Sequence, residues 1–229
     1  VTDFGQSGPG LNLSGTAGAD TLSGSTGADT LSGGLGNDRL DGGAGNDRLD
    51  GGAGADVLIG GGGADSLIGG AGVDTAHYGA AAAGVGLDML SPTWSGAHGE
   101  ALGDSFSFVE WVEGSSYADV ILATADANRL VGNAGNDWLD GRGGNDILLG
   151  GDGADTLIGG SGNDNLNGQA GNDVFDFSAG SGRDVVTGFA AGSGLGDVIQ
   201  FHGQFTSFAQ VLTAAHEVSN VTSPLGAAF

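Results

Sequence analysis

Thirteen aspartates, Asp20, Asp29, Asp38, Asp47, Asp56, Asp65, Asp74, Asp119, Asp137, Asp146, Asp155, Asp164 and Asp173, stand on a nine-residue grid. Each lies two places before an almost always bulky apolar residue and nearly always two after a glycine. The acids are 24 Asp against 4 Glu, and they face five arginines and no lysine, for a net charge of -23. A merely solubilising surface would use Glu freely, so short, turn-compatible carboxylates are being selected. Close carboxylates repel one another and oppose compaction, so the chemistry to which this arrangement points is neutralisation by a divalent cation. Calcium takes six to eight hard oxygens and accepts backbone carbonyls beside carboxylates, whereas magnesium demands tighter octahedral geometry and holds its water. Transition metals prefer imidazole or thiolate, and the grid contains neither.

The elements that must position these carboxylates follow from the same period. One run reads G-T-A-G-A-D-T-L-S from Gly15, tightens to G-G-L-G-N-D-R-L-D at Gly33 and continues to His77. A second extends from Gly114 to Asp176, with G-G-D-G-A-D-T-L-I at Gly150 as a clean copy. Glycine at positions one, two and four permits positive φ and brings carbonyls close together, so each nonapeptide is expected to divide into a turn of six residues and a strand of three. At position eight stand Leu22, Leu31, Leu40, Leu49, Leu58 and Leu67, then Ile121, Leu130, Leu139, Leu148, Leu157, Leu166 and Phe175. Strand neighbours alternate faces, so this residue points inward while positions seven and nine point outward. A helix would need apolar residues about every 3.6 positions. One unit cannot bury its own leucine, so units must stack, two to a coil. The expected fold is all-β: a parallel β-roll (β-solenoid) in two stacks of nonapeptide repeats, with an insert and a C-terminal cap that contains one short helix. Its core is thin, and burial alone leaves it marginal.

Stacking also completes the oxygen shell. A glycine-rich turn with one Asp offers about half of the six to eight oxygens calcium needs, and the same-edge turn of the next coil offers the other half. Asp38 is therefore expected to share ions with Asp20 and Asp56, and Asp47 with Asp29 and Asp65. Asp137 lies between Asp119 and Asp155, and Asp146 pairs with Asp164. Same-edge pairs imply on the order of ten ions.

The nonapeptide resembles the calcium-binding repeat already described for RTX proteins, over roughly Gly15 to Asp176. The resemblance implies that positions one and three donate carbonyls from one turn, and positions two and four from the following one. It therefore adds Gly33, Leu35, Gly36, Gly42, Gly45, Gly52, Gly54 and Gly63 in the first run as metal ligands. In the second run it adds Gly132, Gly135, Gly141, Gly144, Gly150, Gly153 and Gly162. Three departures stand out: Asn128 replaces Asp in a unit without the glycines, and Thr16 and Ser25 replace the second glycine of the first two units.

The organisation reads as a lead-in (1–14), a first block (15–77), an aromatic insert (78–113), a second block (114–176) and a C-terminal cap and tail (177–229). Within the insert, Val85 to Leu90 and Phe106 to Val112 read as strands. Position nine turns apolar at Ile59 and Ile68, and again at Leu122, Val131, Leu149 and Ile158. Exposed apolar ridges indicate an interface, so the insert is expected to pack over the side of Val57, Ile59 and Ile68 and to join the two rolls. After Asp176, Phe177, Val185, Val186, Phe189, Val198, Ile199 and Phe201 read as capping strands, and Ser207 as the N-cap of an amphipathic helix that ends near Glu217.

Other function classes are excluded. A chain this acidic is no partner for nucleic acid, which needs clustered Lys and Arg. No apolar run of about 18 residues marks a transmembrane segment, and the absence of Cys removes disulfides and thiolate chemistry. His77, His98, His202 and His216 stand in no catalytic motif, and Glu110 and Glu113 read as solvated charges, so the chain is not read as an enzyme. Val1 to Gly10 have no basic start and no apolar signal core. The chain is therefore either a fragment or exported without a cleaved N-terminal signal. The RTX resemblance implies a secreted, extracellular or cell-surface calcium-binding module that folds on meeting the ion outside the cell, exported by type I secretion through an uncleaved C-terminal signal. Two other readings stay open: a structural subunit of a surface layer, adhesin or filament that self-associates or meets a cell-surface partner through the apolar ridges, or a non-catalytic carrier module of an extracellular enzyme.

Overall fold

The computed structural model describes residues 10–177, 182–190 and 196–201. The first run forms β1 (Asn12–Ser14), β2 (Thr21–Ser25), β3 (Thr30–Leu35), β4 (Arg39–Ala44), β5 (Arg48–Gly54), β6 (Val57–Gly62), β7 (Ser66–Gly72) and β8 (Thr75–His77). The insert adds β9 (Gly86–Asp88), a 3-10 turn at Gly99–Ala101, β10 (Ser105–Ser107) and β11 (Trp111–Glu113). Beyond it come β12 (Val120–Leu122), β13 (Arg129–Ala134), β14 (Trp138–Asp140), β15 (Ile147–Gly153), β16 (Thr156–Ile158), β17 (Asn165–Gly171), β18 (Val174–Phe177), β19 (Val185–Thr187) and β20 (Val198–Phe201). In the glycine-rich coils the strands reach six or seven residues rather than three, because turns stacked in register bond to each other as strands do.

Except at β9 and β10 in the insert, successive strands alternate between two walls of a solenoid. One wall is a single nine-stranded sheet, β2-β4-β6-β8-β11-β13-β15-β17-β19. The other divides into β1-β3-β5-β7-β10 and β9-β12-β14-β16-β18-β20. All pairings between named strands are parallel, and the repeat register is strict: Leu31 faces Leu49 and Leu49 faces Leu67, while Leu40 faces Leu58. The position-eight residues form the core, with Leu31, Leu40, Leu49, Leu58, Leu67, Leu130, Leu139, Leu148, Leu157, Leu166 and Phe175 wholly buried. Each such side chain contributes about 1.5–3 kcal/mol, and a one-residue slip would turn this whole column outward.

The insert joins the two runs edge to edge. Strand β11 pairs with both β8 and β13, so one sheet passes without a break from Thr21 to Thr187. Strand β10 pairs with β7, placing Phe106 beside Leu67 and Ser107 beside Ile68. The insert thereby extends the stack, because an end strand presents unpaired N–H and C=O groups that a further strand satisfies. The 3-10 turn does pack against β6. The strand expected from Phe106 to Val112 is broken into β10 and β11 by a corner at Phe108, whose φ is 52°. Trp94 is half-buried, and Trp111 is 40% exposed under the Arg129 guanidinium, 5.1 Å from its ring centre.

Arg142 locks the insert to the second run. Its guanidinium grips both oxygens of Asp88 at 2.7 Å and also donates to the Ala123 carbonyl. At the far end, β18, β19 and β20 continue the parallel sheets instead of forming a separate cap, with Phe175 against Phe189 and Phe177 stacked on Phe201. The helix expected from Ser207 to Glu217, His202, His216 and the segment Val221 to Phe229 lie outside the described residues. Among the described residues no helix is long and apolar enough to cross a membrane.

Candidate metal centre

The grid aspartates form two ladders, one along each edge of the solenoid. On one edge the amide of Asp20 donates to Oδ1 of Asp38 at 2.8 Å, Asp38 to Asp56 at 2.7 Å and Asp56 to Asp74 at 2.8 Å. On the other, Asp29 donates to Asp47 and Asp47 to Asp65, each at 2.7 Å. The second run repeats the pattern through Asp119, Asp137, Asp155 and Asp173, and from Asn128 through Asp146 to Asp164. Each aspartate carbonyl in turn accepts the position-seven amide of the next coil, as in Arg39 to Asp20 at 2.9 Å. Main chain and Oδ1 are thus consumed in holding neighbouring coils in register.

The second carboxylate oxygen is what remains. In Asp38, Asp47, Asp56, Asp65, Asp74, Asp137, Asp146, Asp155, Asp164 and Asp173, Oδ2 is buried and has no hydrogen-bond partner. A buried polar atom without a partner carries its full desolvation cost, more for a charged group. These oxygens fold back over the position-one glycine of their own turn: a methyl at Gly33 would stand 2.3 Å from Oδ2 of Asp38. Position-four glycines stack on the carbonyls of the coil before: a methyl at Gly63, whose φ is 147°, would stand 1.6 Å from the Gly45 oxygen. The structure therefore brings the expected carbonyl residues and aspartates to one seam on each edge. Leu35, one of the expected donors, keeps its side chain 56% exposed while its amide donates to the Thr16 carbonyl.

The turns come in two kinds. All ten with an unpartnered Oδ2 have a left-handed residue at position two: Gly34, Gly43, Gly52, Gly61, Gly70, Asn133, Arg142, Gly151, Gly160 and Gln169. The other four, those of Asp20, Asp29, Asp119 and Asn128, have Thr16, Ser25, Ser115 and Thr124 there, none at positive φ. In these the position-two amide donates to the side-chain oxygen at position six, and the hydroxyl bonds to that side chain as well. Asn128 thereby fills its place as a neutral rung, its Nδ2 donating to the Glu110 carbonyl at 3.1 Å, a bond no carboxylate could make.

Burial pushes the carboxyls of Asp65, Asp137 and Asp146 up to about 7, and those of Asp74 and Asp155 up to about 6. The amide bond from the preceding rung works the other way, and neighbouring carboxylates add to the rise. Asp47, Asp56, Asp164 and Asp173 are raised for the same first reason.

Four rungs escaped the sequence reading. Asp104 accepts the Asp65 amide at 2.8 Å, Glu110 that of Asp74 at 2.9 Å, Asp184 that of Asp164 and Asp197 that of Asp173, both at 3.0 Å. The turns of Asp104, Glu110 and Asp197 lack glycine at positions two and four, whereas that of Asp184 keeps both as Gly180 and Gly182. Each of the four precedes a bulky apolar residue by two places, Phe106, Val112, Val186 and Ile199, which is the signal that could have found them. Also missed was the asparagine of the G-N-D triplets: Asn37, Asn46 and Asn136 accept the amide of Ala55, Ala64 and Ala154 one coil on. His77 pairs with Glu113 across adjoining strands at 3.1 Å, and His98 bonds to the Gly96 carbonyl.

Among the described residues, no three His, Cys, Asp or Glu side chains converge, so a cation held here draws most of its oxygens from the main chain. That donor set, with a buried unpartnered carboxylate oxygen in each open turn, fits a hard cation of flexible coordination such as calcium. The family model of the RTX calcium-binding nonapeptide repeat matches in four copies, at residues 14–49, 41–76, 113–148 and 149–184, together more than half of the chain. No curated protein matches it.

Proposed function

The chain belongs to the RTX calcium-binding nonapeptide repeat family and is a calcium-binding β-roll, and from that premise we propose that it is a secreted module whose solenoid forms on binding on the order of ten calcium ions outside the cell. The observation that supports this reading is the set of ten buried aspartate oxygens without a partner. Left bare, these charges oppose the fold. Calcium, which binds only the folded stack, stabilises it by mass action. In this reading the ligands are the grid aspartates with carbonyls of the glycine-rich turns, such as Gly33 and Leu35 from one turn with Gly52 and Gly54 from the next. Low cytosolic calcium then keeps the chain unfolded for type I export, and millimolar calcium outside folds it.

Self-association through the position-nine ridges has weaker support. Ile59, Ile68, Leu122, Val131, Leu149 and Ile158 are half-buried, each covered in part by its neighbours in the stack. The exposed Trp111, Ile147 and Val185 are separated along their row by Arg129 and Asn165.

Circular dichroism during a calcium titration, reversed by chelator, tests the main reading. The β signal is expected to appear cooperatively with calcium, and a full signal that survives exhaustive chelation overturns ion-dependent folding.

A further inference from the structure

The four closed turns are not scattered. Thr16 and Ser25 form the first turn of the first run on the two edges, and Ser115 and Thr124 do the same for the second run. Each run therefore begins with one whole coil whose position-six side chains are satisfied by protein groups. The hydroxyl lies inside the turn, where it also accepts the position-four amide, as with Tyr117 to Ser115 at 3.0 Å and Asp126 to Thr124 at 3.1 Å. In the open turns, no bond of either kind is made.

Lack of glycine does not explain the closed form. Gly18 and Gly27 occupy position four of the first two turns, yet neither is left-handed, whereas their counterparts Gly36 and Gly45 have φ of 106° and 136°. The hydroxyl at position two is what differs. β-Branched Thr is poorly suited to the left-handed region, and the Ser or Thr hydroxyl offers the turn a local bond instead.

Position in the stack supplies the reason. An ion held between consecutive turns has half of its shell on each side, and the first turn of a run has an open turn on one side only. A carboxylate there is buried whether or not an ion reaches it, and without a partner that is costly. Resting on the calcium reading above, we infer that the hydroxyls of Thr16, Ser25, Ser115 and Thr124 take the place of an ion in the first coil of each run. The two ion arrays therefore start one coil later than the repeats, and the second starts afresh beyond the insert. At the end of the first run Tyr78 plays the matching part, its hydroxyl donating at 2.7 Å to the Oδ2 of Asp104 that would otherwise be bare.

Replacing Thr16 and Ser25 by glycine restores G-G-x-G-x-D in both turns, which gives a direct test in the full chain. Bound calcium is counted by equilibrium dialysis and native mass spectrometry for the wild type, T16G/S25G and T16A/S25A. The glycine pair is expected to hold more ions than the wild type, one per opened turn. The alanine pair, which loses the hydroxyls without gaining left-handed freedom, should hold no more than the wild type. A second variant, Gly34→Thr, closes an open turn and should lose an ion. Wild type that binds calcium, with the count unmoved by T16G/S25G and by G34T, overturns the hydroxyl inference alone. Wild type that binds none overturns the calcium reading and this inference with it.

Discussion

The amide of Asp38 donates to Oδ1 of Asp56 at 2.7 Å across one full coil, while the second oxygen of Asp56 is buried and bonded to nothing. One atom of the carboxylate fixes the register of the stack, and the other carries a charge that the protein does not answer. The two oxygens can be separated by substitution.

Asp56→Asn keeps a side-chain oxygen to accept the Asp38 amide but removes the charge. It is expected to raise the calcium midpoint of folding by about tenfold, corresponding to about 1.4 kcal/mol. Asp56→Ala loses both functions and should cost more. Calcium titration followed by circular dichroism checks the order, and equal effects of the two variants would contradict this division of labour.

The metal-free chain should be stabilised by acid. Asp65, Asp137 and Asp146, raised to about 7, and Asp74 and Asp155, raised to about 6, bind protons more tightly folded than unfolded. Stability from each is complete below the unfolded value of about 3.9 and is lost as pH rises through its folded value. In chelator, β structure is therefore expected to grow as pH falls from about 8 to about 5. Loss of structure over that window would reverse the sign and refute the argument.

Tyr78→Phe leaves Oδ2 of Asp104 buried beside the junction without its donor. A loss of about 1–3 kcal/mol is expected, read as a lower Tm in saturating calcium. A change within about 0.5 kcal/mol, typical of indifferent surface sites, would show that the bond holds nothing.

Two adjacent glycines should behave oppositely. Gly63→Ala forces a methyl onto the Gly45 carbonyl at a φ of 147° and should cost well over about 1 kcal/mol. At Gly62 nothing lies within 4 Å of the added carbon, so Gly62→Ala should be neutral or slightly stabilising. Denaturant titration in calcium separates the two, and matching losses would mean that the stacking of position-four glycines does not matter.

Much of this was legible in the nine-residue period. The grid aspartates, the inward column from Leu22 to Phe175 and the parallel solenoid all follow from one unit that must bury its leucine against copies of itself. The corner at Phe108 that parts β10 from β11 and the rungs Asp104 and Glu110 were not legible, because the insert meets the ladder with carboxylates in turns that lack glycine at positions two and four. The difference between Ser25 and Gly43 at position two looked in the sequence like a worn repeat. In the fold it is a change of backbone conformation that decides whether Oδ2 has a partner.

By itself, then, the sequence determined the repeating chemistry and the stacked fold, since both are properties of a nine-residue unit in contact with its own copies. Only the tertiary structure decided that the two runs are one body and which carboxylates are already satisfied. Those outcomes depend on contacts such as Tyr78 with Asp104 and Arg142 with Asp88, which are 26 and 54 residues apart and have no period to reveal them.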